Sequence, residues 1–129
     1  MRVVLAEREA DLMEVLWEHG PSTVGEVRDR LSVPLAYTTV LTILRNLEAK
    51  GYVRHEEEGR MHRYQPCVAR NTARRSALSD LAGKLFKGSM DALLTHMISE
   101  QNLTADQLRR VQQLLEQEAR KDKTQKDKK

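Results

Sequence analysis

Apolar residues recur at helical spacing through most of this chain and switch to alternation only once. Leu12, Met13 and Leu16 stripe a first helix, Glu7 to His19, which Gly20-Pro21 closes. Thr23 and Glu26 stand three apart, a capping box that opens a short second helix with Val24, Val27 and Leu31 inward. Ser32-Val33-Pro34 is the turn before a third helix, Ala36 to Lys50. There Val40, Ile43, Leu44 and Leu47 fall at i, i+3, i+4 and i+7, and Gly51 stops the helix. Tyr52 to Glu56 and Met61 to Gln65 then read as two short strands. Glu57-Glu58-Gly59-Arg60 turns between them, and Pro66 ends the second.

Everything after Pro66 reads as helix. Asn71 to Phe86 carries Leu78, Leu81, Ala82 and Leu85 on one face, with Gly83 and Gly88 bracketing its end. Ser89 to Ser99 carries Met90, Leu93, Leu94, Met97 and Ile98. Thr104 with Gln107 opens a helix to about Arg120 that carries Leu108, Val111, Leu114 and Leu115. Lys121 to Lys129 has no apolar residue and is expected to be disordered. The predicted fold is mainly α. A winged helix of three helices and a two-stranded wing occupies residues 1–68, a helical region follows over 69–120, and a basic tail spans 121–129. The later helices are too short and too apolar for a core of their own. The economical partner is the same segment of a second chain. Leu78, Leu81, Leu85, Met90, Leu93, Leu94, Met97, Ile98, Leu108, Val111 and Leu115 are the expected dimerisation residues. A ligand pocket between helices is the other use of such a Met-rich stripe.

The third helix carries the chemistry. Its outer face is Thr38, Thr42 and Arg45, and no charge stands from Tyr37 to Leu44. A helix exposed only to water is usually decorated with Glu and Lys. A short, hydroxylated face ending in Arg suits the major groove of DNA, where Arg reads guanine and Thr meets bases or phosphates. Thr39 and Asn46 flank that face as phosphate contacts. Tyr37 either stacks on sugar-phosphate or packs inward. On the wing, Arg60 and Arg63 are the expected backbone contacts. Glu56, Glu57 and Glu58 must then point away, or the wing tip must sit off the duplex.

Composition adds limits. The chain has 129 residues, enough for one domain or two very small ones. Only five residues are aromatic, so the core must be built of Leu, Val, Ile and Met. The longest apolar run is Val3 to Ala6, so no membrane insertion is expected, and the N-terminus has no signal-peptide pattern. A single cysteine, Cys67, rules out an internal disulfide, and together these favour the cytoplasm. The net charge of +3 says little about partners, because residues 1–66 hold nine basic against eleven acidic groups and residues 67–129 hold thirteen against eight. No phosphate-binding loop, dinucleotide fingerprint or nucleophile elbow is present, so no enzyme activity is expected. His19, His55, His62 and His96 have no metal-motif spacing, though His55 and His62 can face each other across the hairpin. No metal or other cofactor is expected.

The segment A-Y-T-T-V-L-T-I-L-R-N-L-E-A-K-G-Y-V, Ala36 to Val53, resembles the penicillinase repressor family of the BlaI/MecI type. So do L-A-E-R-E-A-D-L-M-E-V-L-W (Leu5 to Trp17) and K-L-F-K-G-S-M-D-A-L-L (Lys84 to Leu94). The resemblance covers about residues 4–118. It implies a dimeric winged-helix repressor that binds a palindromic DNA operator and dimerises through C-terminal helices, often at β-lactamase or resistance genes. A copper-responsive branch carries paired cysteines near its C-terminus, and this chain has no cysteine after Cys67. Penicillin-responsive members are inactivated by a regulatory protease at an Asn-Phe dipeptide. Leu93 to Glu100 here contains none, and His96-Met97 occupies that place. The rival from another class is a protein-interaction adaptor whose third helix docks a protein instead of specific DNA.

Overall fold

The computed structural model describes residues 1–100 and 102–127, with side chains through residue 122. Its elements run α1 (Glu7–His19), β1 (Ser22–Thr23), α2 (Val24–Arg30), α3 (Tyr37–Ala49), β2 (Val53–Glu58), β3 (Met61–Pro66), α4 (Arg70–Leu85), α5 (Met90–Glu100) and α6 (Ala105–Asp127). The chain divides into two compact units, Met1–Leu81 and Ala82–Lys129.

In the first unit the apolar stripes of the three leading helices meet. Leu12, Met13 and Leu16 of α1, Val27 of α2 and Val40, Leu44 and Leu47 of α3 are fully buried, together with Tyr64 of β3. Val53 of β2 closes the same core. The Thr23 capping box forms as the spacing predicts: Glu26 N–H donates to Thr23 Oγ1 at 3.2 Å and Thr23 N–H donates to Glu26 Oε1 at 3.0 Å. Leu31 follows α2 as its C-cap and is only half-buried. One element is additional to the sequence reading. Ser22 and Thr23 pair antiparallel with Tyr64 and Arg63, so the sheet has three strands in the order β1-β3-β2. Two residues are too few to show alternation, and Thr23 serves as strand and as helix cap at once. The hairpin is also longer than expected. Glu58 pairs with Met61, which reduces the turn to Gly59-Arg60, with Gly59 at φ 64°. The three helices and this sheet make a winged helix.

The first unit extends beyond residue 68. The Trp17 indole N–H donates to the Val68 carbonyl at 2.8 Å, and Ala73 of α4 is buried in the core. Ser76 Oγ accepts from Val3 N–H at 3.0 Å, and Tyr52 Oη accepts from Val4 N–H at 3.0 Å. The front of α4 therefore belongs to the winged helix.

In the second unit, Gly88 at φ 82° donates its N–H to the Ala82 carbonyl at 2.9 Å and closes α4, whereas Gly83 lies inside that helix. Phe86 meets the His96 ring edge-on at 5.8 Å. Leu93 is buried, so of the expected dimerisation residues it faces its own chain, and Val111 is half-buried. Leu85, Met90, Leu94, Met97, Ile98, Leu108 and Leu115 are exposed, as are Leu78 and Leu81 in the first unit. Where the sequence suggests a disordered tail after Arg120, α6 is drawn on to Asp127. No Gly or Pro interrupts Ala105 to Asp127, and the segment is dominated by strong helix formers, so propensity carries the helix past its last apolar residue. Residues 128 and 129 of that tail lie outside the described residues. Among the described residues no helix is long and apolar enough to cross a membrane.

Candidate nucleic-acid interface

Because α3 buries Val40, Leu44 and Leu47, the opposite side must face out, and it does: Thr38, Thr39, Thr42, Arg45 and Asn46 are all exposed. Thr42 Oγ1 donates to the Thr38 carbonyl at 2.9 Å, so this hydroxyl is spent within the helix and the methyl is left to meet a partner. Arg45 makes no hydrogen bond or ion pair to any described residue. The start of α3 is bare as well. Its N-cap, Ala36, has no side chain to cap with, and the first turn holds no acidic residue. At the starts of α1, α5 and α6, by contrast, Glu9 accepts from Ala6 N–H at 2.8 Å, Ser89 Oγ accepts from Ala92 N–H at 3.0 Å, and Thr104 Oγ1 accepts from Gln107 N–H at 3.1 Å. The first N–H groups of α3 thus present the positive end of a helix dipole with no side-chain acceptor on it. Tyr37 resolves outward: it is 47% exposed, and the Arg28 guanidinium lies 5.9 Å from its ring centre. Arg28 was not expected at this site. Its only sequence signal is a basic residue in the last turn of α2, just ahead of α3.

At the far end of α3, Lys50 Nζ donates to Glu9 Oε1 at 2.7 Å. Burial pushes the Glu9 carboxyl up, but the bonds from Lys50 and from Ala6 N–H outweigh it and hold its pKa below the ordinary value.

The wing is organised by Glu48. Its carboxylate accepts from the backbone N–H of His55 at 3.1 Å and lies 2.6 Å from His55 Nδ1. The His62 ring stacks on His55, centroids 4.3 Å apart and planes 13° from parallel. This confirms that the two imidazoles meet across the hairpin. Since His55 touches α3 and side chains alternate along a strand, His55, Glu57, His62 and Tyr64 occupy the α3 side of the wing. Arg54, Glu56, Glu58 and Arg63 occupy the other side. There Arg63 Nε donates to Glu58 at 2.6 Å, while Nη1 donates to Glu26 at 3.0 Å and to the Pro21 carbonyl at 3.2 Å. Arg63, expected beside DNA, is therefore a clamp between β3, β2 and α2 on the face away from α3. Two of the three glutamates also point away, and only Glu57 shares the α3 side. Arg60 sits exposed in the turn, with no hydrogen bond or ion pair to a described residue. Among the described residues no three His, Cys, Asp or Glu side chains are grouped to hold a metal.

Residues 5–117 match the family model described as penicillinase repressor. The chain is 37% identical over 111 residues to the transcriptional regulator BlaI of Mycobacterium tuberculosis, covering 82% of this chain and 80% of that one. It is 23% identical over 115 residues to the penicillinase repressor of Bacillus licheniformis, covering 88% and 90%. The solution structure of the DNA binding domain of the repressor BlaI superposes with a TM-score of 0.49 at 29% identity, over 56% of this chain and 93% of that one. With a family match running from the start of α1 into α6, the chain belongs to the penicillinase repressor family.

Proposed function

We propose that this protein is a homodimeric transcriptional repressor that sets α3 into the major groove of a palindromic operator. The observation that carries this reading is the outward face of α3, which is free of carboxylates, ends in an unpaired Arg45, and begins at an uncapped N-terminus. Arg45 is placed to read a guanine edge, and the Thr42 methyl to meet a base. Tyr37, Thr38, Thr39 and Asn46 are the phosphate contacts that fix register, with Arg28 and Arg60 reaching the backbone on either side. The exposed apolar residues of α5 and α6 support pairing with a second copy, and a two-fold dimer demands a two-fold site. Half-site centres then stand one helical turn apart or a multiple of it. Repression follows from blocking polymerase access, in the cytoplasm, at genes of a resistance or stress response. Names of relatives support that last step, among them the methicillin resistance regulatory protein MecI of Staphylococcus aureus.

Selection and sequencing of bound fragments from the source genome tests this directly. The expected result is one or a few palindromes upstream of a neighbouring gene. Their affinity should fall roughly a thousandfold between about 50 and 200 mM salt if some six phosphates are contacted. Recovery of nothing, or of random DNA only, refutes the repressor and favours the protein-docking adaptor.

A further inference from the structure

We propose that His62 gives the wing a second contact to the duplex backbone beside Arg60, and that a proton taken up there makes operator binding tighten as pH falls. This rests on the DNA-binding reading above. Of the wing's arginines, only Arg60, exposed in the turn, is free to meet a backbone. Arg63 is clamped on the far face, and Arg54 shares that face beside Gln65. What the wing offers beside a groove occupied by α3 is His55, Glu57 and His62.

Of these, His55 is already engaged. Both Glu48 oxygens lie within 2.8 Å of its Nδ1, which therefore carries a hydrogen, and the ring is fixed against α3. His62 is held by stacking on that fixed ring, yet makes no hydrogen bond to any described residue. It is oriented and chemically unspent. His55 is its positioning residue.

The charges around the pair decide what a proton does there. From α3, Glu48 and Arg45 face it. From β2, Glu57 stands directly opposite His62 in the register. From β3 comes Tyr64, whose hydroxyl burial pushes above its ordinary value, with Glu48 adding to the effect, so it stays neutral near pH 7. With His62 neutral, exposed Glu57 leaves this edge of the wing negative and repels phosphate. A proton on His62 offsets the Glu57 charge, turns the remaining ring acceptor into a second N–H donor, and makes the hydrogen bond to a phosphate oxygen charge-assisted. A phosphate oxygen beside His62 favours the protonated ring. Binding and proton uptake are then linked, and imidazole is the side chain whose charge changes between about pH 5 and 8.

The experiment uses the full chain and the best duplex of about 30 base pairs selected from a randomised library near pH 7.5. Affinity is read by fluorescence anisotropy near pH 8 and near pH 6 at fixed ionic strength, for wild type and for His62→Gln. Wild type is expected to bind about five- to tenfold tighter near pH 6, the size of one linked proton. His62→Gln should lose this gain and bind with the same affinity near pH 6 as near pH 8. Wild type without a pH difference, or His62→Gln retaining one, overturns the proposal. So does an equal loss at both pH values, which makes the ring a matter of shape. Failure of wild type to select any duplex sinks the DNA reading itself, and is thereby distinguishable.

Discussion

Leu94→Asp with Met97→Asp tests whether α5 carries the dimer. Leu94, Met97 and Ile98 remain 39%, 43% and 40% exposed in the single chain. Full burial of such a side chain is worth about 2 kcal/mol, so covering the remaining two-fifths contributes about 0.8 kcal/mol each. Six such side chains across a two-fold axis contribute roughly 5 kcal/mol from α5 alone; exposed Leu108, Leu114 and Leu115 of α6 add to this, and the lost freedom of motion subtracts from it. That cost is common to variant and wild type and cancels in their difference. The double aspartate removes four of the six contacts and brings four carboxylates to the seam, which adds a desolvation cost on top of the lost area. The dimer dissociation constant should rise by about a thousandfold or more. Sedimentation equilibrium at micromolar concentration measures it, and far-UV circular dichroism checks that the helices persist. Operator affinity should fall with dimerisation. A variant that stays dimeric with an unchanged dissociation constant refutes the argument, and the apolar face of α5 would then need another occupant.

Three further outcomes follow from the winged helix. Arg45→Ala should leave the melting temperature unchanged, since the guanidinium has no partner to lose. It should cost about 1–3 kcal/mol on the selected duplex, and an equal loss on random DNA would reduce Arg45 to a phosphate contact. Arg63→Ala should do the reverse, lowering thermal stability while leaving specific affinity intact. A loss of affinity without loss of stability would return Arg63 to the interface. Glu9 has a lowered pKa in the fold, so the stability it contributes is complete above the ordinary carboxylate value of 4.5 and is lost as pH falls through the folded value. Lys50→Met should flatten that acid limb in urea titrations. An unchanged limb would show that the Ala6 N–H alone holds the carboxylate.

Much of this was legible because the signals were local. The stripe of α1, the Thr23-Glu26 box and Gly51 each act within a turn or two of chain, and the elements appear where they point. Position on the wing was not legible in the same way. Alternation says that Arg63 lies opposite in sense to His62, but not which of them faces α3. That parity is set by the Glu48 carboxylate reaching His55 and by Tyr64 entering the core beneath α3, contacts made only after folding. The buried Leu93 has a related cause. It lies at the margin of the α5 stripe, and spacing alone cannot say which edge of a wide stripe packs inward. Nor does β1 leave a pattern, because its two residues owe their state to pairing with β3.

The same distinction removes an apparent obstacle to DNA binding. The first 66 residues carry two more acidic than basic groups, which argues against affinity for a polyanion if charge is simply counted. Once folded, most of these carboxylates are bound up in ion pairs away from the outward face of α3, while Glu57 stays exposed on the α3 side of the wing. Glu9 pairs with Lys50, and Glu26 and Glu58 share Arg63. Glu14 and Glu18 take Arg70 from beyond the counted stretch, and Asp11 takes Arg8. Glu48 is turned onto His55. Arg45 and Arg60 are left unpaired, and Arg28, though it reaches Asp29 at 3.4 Å, lies against Tyr37 at the head of α3. A duplex approaching that helix therefore meets a local positive field on a domain whose sum is negative. Salt should weaken binding through these few cations and leave the internal pairs, several of them partly buried, much less affected.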